Sequence, residues 1–130
     1  MKVFVIETGV ANTAAVMAGL RRLGAEPVLT TNGRDVCDGQ RVVLPGVGSF
    51  AAGMDALARA GLVEVVQERI RAGRPTLAIC LGLQLMAQFS QESPGVVGLG
   101  IFDVPVTRLR ALGDAQLRVP HMGWNRVTGL

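Results

Sequence analysis

The chain has 130 residues, of which 49% are hydrophobic and 18% are charged. A polypeptide of this length can bury roughly two thirds of the surface that it exposes when unfolded. This composition, with 17 glycines and no tyrosine, is typical of a compact enzyme-like domain and argues against a disordered or fibrous protein. We therefore expect a single domain over residues 1–130.

Charge, hydropathy and cysteine content argue against several further classes of protein. The net charge of +3 comes from scattered arginines without interleaved aromatic residues, which argues against nucleic-acid binding. No apolar run approaches the roughly 20 residues of a membrane-spanning helix, and the run that begins at Val3 stops at Glu7, so we expect neither a membrane anchor nor a signal peptide. Cys37 and Cys80 cannot form a disulfide framework, and with His121 they show no metal-ligand spacing. A cytoplasmic location follows as an expectation.

Apolar runs and helical spacings alternate along the chain. The runs predict strands over Lys2–Ile6, Glu26–Thr30, Arg41–Leu44 and Pro75–Ile79, with shorter ones over Ile101–Leu109 and Leu117–Val119. The third strand is expected to stop at Pro45 and Gly46. Helical spacing predicts a helix that Asn12 or Thr13 caps and Gly24 ends, and further helices over Ala51–Ala60, Leu62–Ala72 and Leu83–Phe89.

This alternation predicts an α/β fold, a mostly parallel sheet with helices on both faces. Ligands of such sheets bind beyond the carboxyl ends of the strands. Glycines mark three joints between a strand and the following segment there, at Glu7-Thr8-Gly9, at Pro45-Gly46-Val47-Gly48 and at Cys80-Leu81-Gly82. We expect the functional site at these joints.

The joint at Cys80 has the pattern of an exposed nucleophile. A tight turn from a strand into a helix pushes its residue out of the sheet, and the small residues Ala78 and Gly82 would relieve the crowding. The helix start would favour a thiolate, and the Leu81 N–H could face an oxyanion. The alternative is a buried, inert cysteine, because free cysteine is often buried.

The loop at Gly46-Val47-Gly48 is compatible with two functions. A glycine-rich loop after a neighbouring strand can supply the second N–H donor that a tetrahedral intermediate of acyl transfer requires. Alternatively, Gly46-x-Gly48-x-x-Ala51 fits the dinucleotide-binding fingerprint. The acidic residue that this fingerprint expects about 20 positions later, at the end of the next strand, is absent, which disfavours the nucleotide.

The two joints together resemble a known family. The stretch "LAICLGLQLM" resembles the nucleophile signature of class I glutamine amidotransferases, and "PGVGSF" resembles their oxyanion strand. The strings "RVPHMGWN" and "GLGIFDVPVTRL" and the early Gly9-x-x-Asn12 are similar, within that family, to the glutaminase subunits of imidazole glycerol phosphate synthase. The similarity extends over nearly the whole chain.

The resemblance implies a site and a partner. Cys80 would attack the side-chain amide of glutamine, Leu81 and, after a peptide rotation, Val47 would supply the oxyanion N–H groups, and Gly48 and Gln84 would line the glutamine pocket. Ammonia would pass to a cyclase subunit that makes imidazole glycerol phosphate in histidine biosynthesis, within a heterodimer. No metal or other cofactor is implied. The residues expected at the interface with the cyclase are Asn12, His121, Met122 and Trp124.

A base for the cysteine is not evident. The family carries its catalytic His and Glu beyond the "HMGWN" string, and this chain ends at Leu130. His121, the one histidine, stands in the interface motif. We therefore expect that the chain lacks the C-terminal part of the domain, that its sheet has an uncovered edge or apolar face, and that it is inactive alone. The alternative is a non-catalytic domain that docks on the cyclase or associates with itself.

Overall fold

Four parallel strands form the centre of the structure. It is a computed structural model, and it describes residues 1–9, 11–110, 120, 123–124, 126 and 128–129. In chain order the elements are β1 (Lys2–Ile6), α1 (Thr13–Arg22), β2 (Glu26–Thr30), α2 (Gly33–Asp38), β3 (Val42–Gly46), α3 (Phe50–Arg59), α4 (Val63–Arg71), β4 (Thr76–Cys80) and α5 (Leu81–Gln84).

The strand order is β2-β1-β3-β4, and the helices cover both faces of the sheet. Val5 lies beside Leu29 of β2 and Val43 of β3, and Gly46 of β3 lies beside Cys80 of β4. On one face, Met17 of α1 packs in the same apolar cluster as Val5 and Val43. The larger core, on the other face, contains side chains from α2 to α5. The predicted α/β class is confirmed.

The sequence prediction missed α2. Asn32 caps this short helix by accepting a hydrogen bond from the Arg34 N–H at 2.8 Å, and the Thr30 hydroxyl donates to the Asp35 carboxylate at 2.8 Å. The spacing Asn32-x-x-Asp35 resembles a capping box and was the available signal. Only Val36 of α2 is buried, so apolar periodicity could not reveal the helix.

The prediction that Pro45 and Gly46 stop the third strand is wrong. Pro45 pairs with Ile79 and Gly46 with Cys80, so β3 continues through both residues. A proline can occupy a strand position whose N–H is not required by the neighbouring strand. Pro45 satisfies this condition toward β4, because the alternation of β3 turns its backbone nitrogen toward β1, where the pairing already ends at Val43.

The predicted helix over Leu83–Phe89 is also wrong, because α5 ends at Gln84. Beyond it the carbonyls of Leu85, Met86 and Ala87 accept hydrogen bonds from backbone N–H groups of residues 99–102. These partners lie too far along the chain for helical periodicity to predict them. The predicted strand Ile101–Leu109 is reduced to an isolated bridge between Val106 and Ser90, and Leu117–Val119 lies outside the described residues.

In the described part of the chain, β4 is an edge strand with apolar surface beside it. Leu77 on β4 is 56% exposed. A cleft of about 390 Å³ borders this strand and is lined by residues that include Met1, Val3, Leu20, Val43 and Leu77. The expectation of an incompletely covered apolar face therefore agrees with the described structure.

Candidate active site

Cys80 occupies a strained turn between β4 and α5. Its backbone has φ 55° and ψ −116°, and Cys80 is the one described residue other than glycine with a positive φ. Non-glycine residues seldom adopt this region, and such strain concentrates at functional sites. Cys80 is exposed, so the buried, inert cysteine that the sequence left open does not match the structure.

Glycine at position 82 makes this turn possible. A Cβ atom on Gly82 would collide with the carbonyl oxygen of Leu44 and lie 2.9 Å from the carbonyl carbon. Close approach to β3 therefore excludes a side chain there, as the sequence pattern around Cys80 predicted. Ala78, the other small residue of that pattern, is half-buried against the core.

The backbone N–H of Leu81 is available to a ligand. As the first residue of α5 it has no acceptor inside the helix, and it donates to no backbone carbonyl in the described part of the chain. It directly follows Cys80. Because α5 has only one turn, its dipole stabilises a thiolate less than the sequence suggested. The N–H groups of the turn itself are the remaining source of stabilisation.

The loop after β3 lies beside this turn. A Cβ on Gly46 would stand 3.0 Å from the Gly82 nitrogen and 3.0 Å from the Leu81 Cβ, so β3 and α5 touch at the joint. Val47 is 48% exposed, and Gly48 has φ 94°. Gln84 is exposed one turn beyond Cys80. The structure thus brings the predicted oxyanion loop to the predicted nucleophile.

The direction of the Val47 N–H follows from the alternation of β3. The Val42 N–H donates toward β4 at 3.2 Å, whereas the carbonyl of Arg41 accepts from Phe4 of β1 at 3.0 Å. Successive residues of a strand face opposite neighbours, so Gly46 faces β4 and Val47 faces β1. The Val47 N–H therefore points toward β1 and away from Cys80 in this structure.

The predicted interface residues are only partly described. Asn12 is exposed and caps α1, accepting a hydrogen bond from the Ala15 N–H at 3.2 Å, and Trp124 is fully exposed. His121 and Met122 lie outside the described residues. Within the described ranges, no group of three or more metal-ligating side chains is present, and no helix is both long and apolar enough to cross a membrane.

Comparison with known proteins identifies the family. The family model for "Glutamine amidotransferase class-I" matches residues 4–130. The chain belongs to the class I glutamine amidotransferases. Three relatives carry the name imidazole glycerol phosphate synthase subunit HisH. Those of Yersinia pseudotuberculosis, Methanopyrus kandleri and Bacillus cytotoxicus are 38%, 40% and 38% identical over 98%, 98% and 95% of this chain.

These matches cover 62%, 61% and 57% of the three relatives, so the chain spans about three fifths of their length. These matches confirm the predicted membership in the amidotransferase family. That prediction came from the residues around Cys80, the Gly46–Gly48 loop and the "HMGWN" string. Sequence patterns missed the buried hydroxyl oxygen of Thr8 and the buried side chain of Arg69, because apolar periodicity gives no signal for a buried polar group.

Proposed function

We propose that this amidotransferase chain carries the glutamine-hydrolysing thiol of an imidazole glycerol phosphate synthase. The observation that supports it most is Cys80, exposed on a strained strand-to-helix turn beside a glycine loop. The names of the relatives supply the second support, since each is a subunit of that synthase. The partner is then a cyclase subunit that receives ammonia.

The proposed reaction uses these groups in the following order. The Cys80 sulfur attacks the side-chain amide carbon of glutamine, and the carbonyl oxygen takes up the negative charge of the tetrahedral intermediate. N–H donors of Leu81 and, after rotation, of Val47 stabilise that charge. The proton that the Cys80 thiol gives up is transferred to the nitrogen, which leaves as ammonia, and water then hydrolyses the glutamyl thioester to glutamate and the free thiol. Gly48 and Gln84 line the pocket for the remainder of glutamine.

A second candidate function is docking on the cyclase without catalysis, through the exposed residues Asn12 and Trp124. A cysteine glutaminase needs a positioned base, which typically contributes 10²- to 10⁴-fold to the rate, and His121 is the one imidazole in these 130 residues. We infer that the 130-residue chain alone releases glutamate from glutamine slowly. His121, Met122, Trp124 and Asn12 would then serve the interface.

Alkylation by a chloromethyl ketone analogue of L-glutamine tests whether Cys80 is the reactive thiol. We expect mass spectrometry to locate the adduct on Cys80 and not on Cys37, because only Cys80 lies at the glycine joints. Excess L-glutamine should slow this labelling at least tenfold, whereas D-glutamine should not. Iodoacetamide, which has no glutamine-like part, is the matched reagent.

Labelling that favours Cys37, or labelling of Cys80 that L-glutamine does not slow, would reject the glutaminase assignment. The second result would favour the docking function. Binding of the chain to a purified cyclase subunit, measured by analytical ultracentrifugation, then separates docking from self-association.

A further inference from the structure

The hydroxyl of Thr8 has an unusual environment. Its oxygen is buried and forms no hydrogen bond with any residue that the structure describes. Thr8 follows β1, where the neighbouring Glu7 N–H still donates to the carbonyl of Thr30 at 3.0 Å. Burying an unpaired hydroxyl is unfavourable, and such groups in native proteins call for an explanation.

Thr8 lies at the carboxyl end of the parallel strands, which is the end of the sheet that carries the candidate site. Val5 of β1 pairs with Val43 of β3, and carrying this register three residues further brings Thr8 alongside Gly46. The β1–β3 ladder itself stops earlier, because Pro45 has no N–H to donate. Extended in this way, the register places Thr8 beside the peptide that joins Gly46 to Val47, on the side away from Cys80.

Rotation of that peptide changes the hydrogen-bonding requirement on this side. The carbonyl of Gly46 and the N–H of Val47 belong to one planar trans peptide and point in opposite directions. Before rotation the N–H faces β1; turning it toward Cys80 turns the Gly46 carbonyl toward β1. That carbonyl then needs a donor.

We propose that Thr8 is a positioning residue for the oxyanion loop. Its hydroxyl donates a hydrogen bond to the rotated Gly46 carbonyl and thereby holds the Val47 N–H toward Cys80. The proposal rests on the proposed glutaminase function and adds to it the group that stabilises the active arrangement of the loop. Thr8 contacts neither the substrate nor the reacting atoms in this account.

Two alkylating reagents separate this role from a structural one. The carbonyl oxygen of a chloromethyl ketone lies where oxyanion donors can stabilise the negative charge that develops on it. Iodoacetamide reacts by direct displacement and develops no oxyanion. We expect Thr8→Val to lower the Cys80 rate constant for the glutamine chloromethyl ketone about tenfold or more and to leave that for iodoacetamide within about twofold. Thr8→Ser, which keeps the hydroxyl, should retain the wild-type ratio of the two rate constants.

Thermal unfolding provides an independent readout. Because the Thr8 hydroxyl has no partner among the described residues before rotation, Thr8→Val should leave the Tm unchanged or raise it. An unchanged ratio of rate constants in Thr8→Val, or a fall of both rate constants together with the Tm, overturns the proposal. If the wild-type chain itself shows no glutamine-protected labelling of Cys80, the glutaminase assignment fails first, and the two failures are thus distinguishable.

Discussion

Replacing Gly82 with alanine is expected to disrupt both the fold around β3 and the reactivity of Cys80. The added Cβ would collide with the Leu44 carbonyl oxygen, and a backbone atom of a central strand cannot move aside as a flexible side chain can. Overpacking of this kind typically costs 1–3 kcal/mol and occasionally more, and we expect about 3 kcal/mol. Urea unfolding measures the loss, and chloromethyl ketone labelling of Cys80 should slow at least tenfold.

Gly19 provides the matched control for this substitution. It lies within α1, nothing stands within 4 Å of the position of its Cβ, and its φ is not positive. Gly19→Ala should raise the free energy of unfolding by about 0.5–1 kcal/mol, because alanine favours the helix. Equal stability of the Gly82→Ala and Gly19→Ala chains would contradict the close approach of α5 to β3.

Arg69→Met is expected to destabilise the chain by about 3–5 kcal/mol, because each buried acceptor that loses its donor costs about 1–3 kcal/mol. The Arg69 side chain is 1% exposed and donates five hydrogen bonds at 2.6–3.3 Å. Burial lowers the pKa of its guanidinium, and nearby Arg74 acts in the same direction. The acceptors are the Thr76 hydroxyl and the backbone carbonyls of Val36, Cys37, Gly39 and Pro75.

These hydrogen bonds join the end of α2 to the beginning of β4, so methionine would leave buried carbonyls without a donor. Arg71→Met, two residues later on the same helix at an exposed position, should change the free energy of unfolding by no more than about 0.5 kcal/mol. In Arg69→Lys the side chain cannot reach all five acceptors, so the free energy of unfolding should lie between that of Arg69→Met and that of the wild type. A loss for Arg69→Met no larger than that for Arg71→Met would show that the network contributes little.

Local patterns predicted the first two strands well. The bounds of β1 and β2 agree with the predicted Lys2–Ile6 and Glu26–Thr30, because each is a short apolar segment bounded by polar or glycine residues. Of the two predicted candidates for the cap of α1, Asn12 is the one that caps it. In these elements the residues that determine the structure are neighbours in sequence.

Features that depend on distant residues could not be predicted. The end of α5 at Gln84 is fixed by backbone hydrogen bonds from residues 99–102, and the continuation of β3 through Pro45 depends on which neighbour needs its N–H. The candidate site was found because Gly82 and Gly46–Gly48 mark it in the sequence. The backbone strain at Cys80 could not be predicted in the same way, because its positive φ accompanies the close approach of α5 to β3.

The proposed reaction at Cys80 requires two N–H groups that converge on the carbonyl oxygen of the substrate. A crystal structure of the chain alkylated by the glutamine chloromethyl ketone measures this directly. We predict that the ketone oxygen of the adduct lies about 2.7–3.1 Å from the backbone nitrogens of Leu81 and Val47, with the Gly46 carbonyl turned toward Thr8. An adduct on Cys80 whose oxygen faces solvent, with the Val47 N–H still directed at β1, would contradict the account.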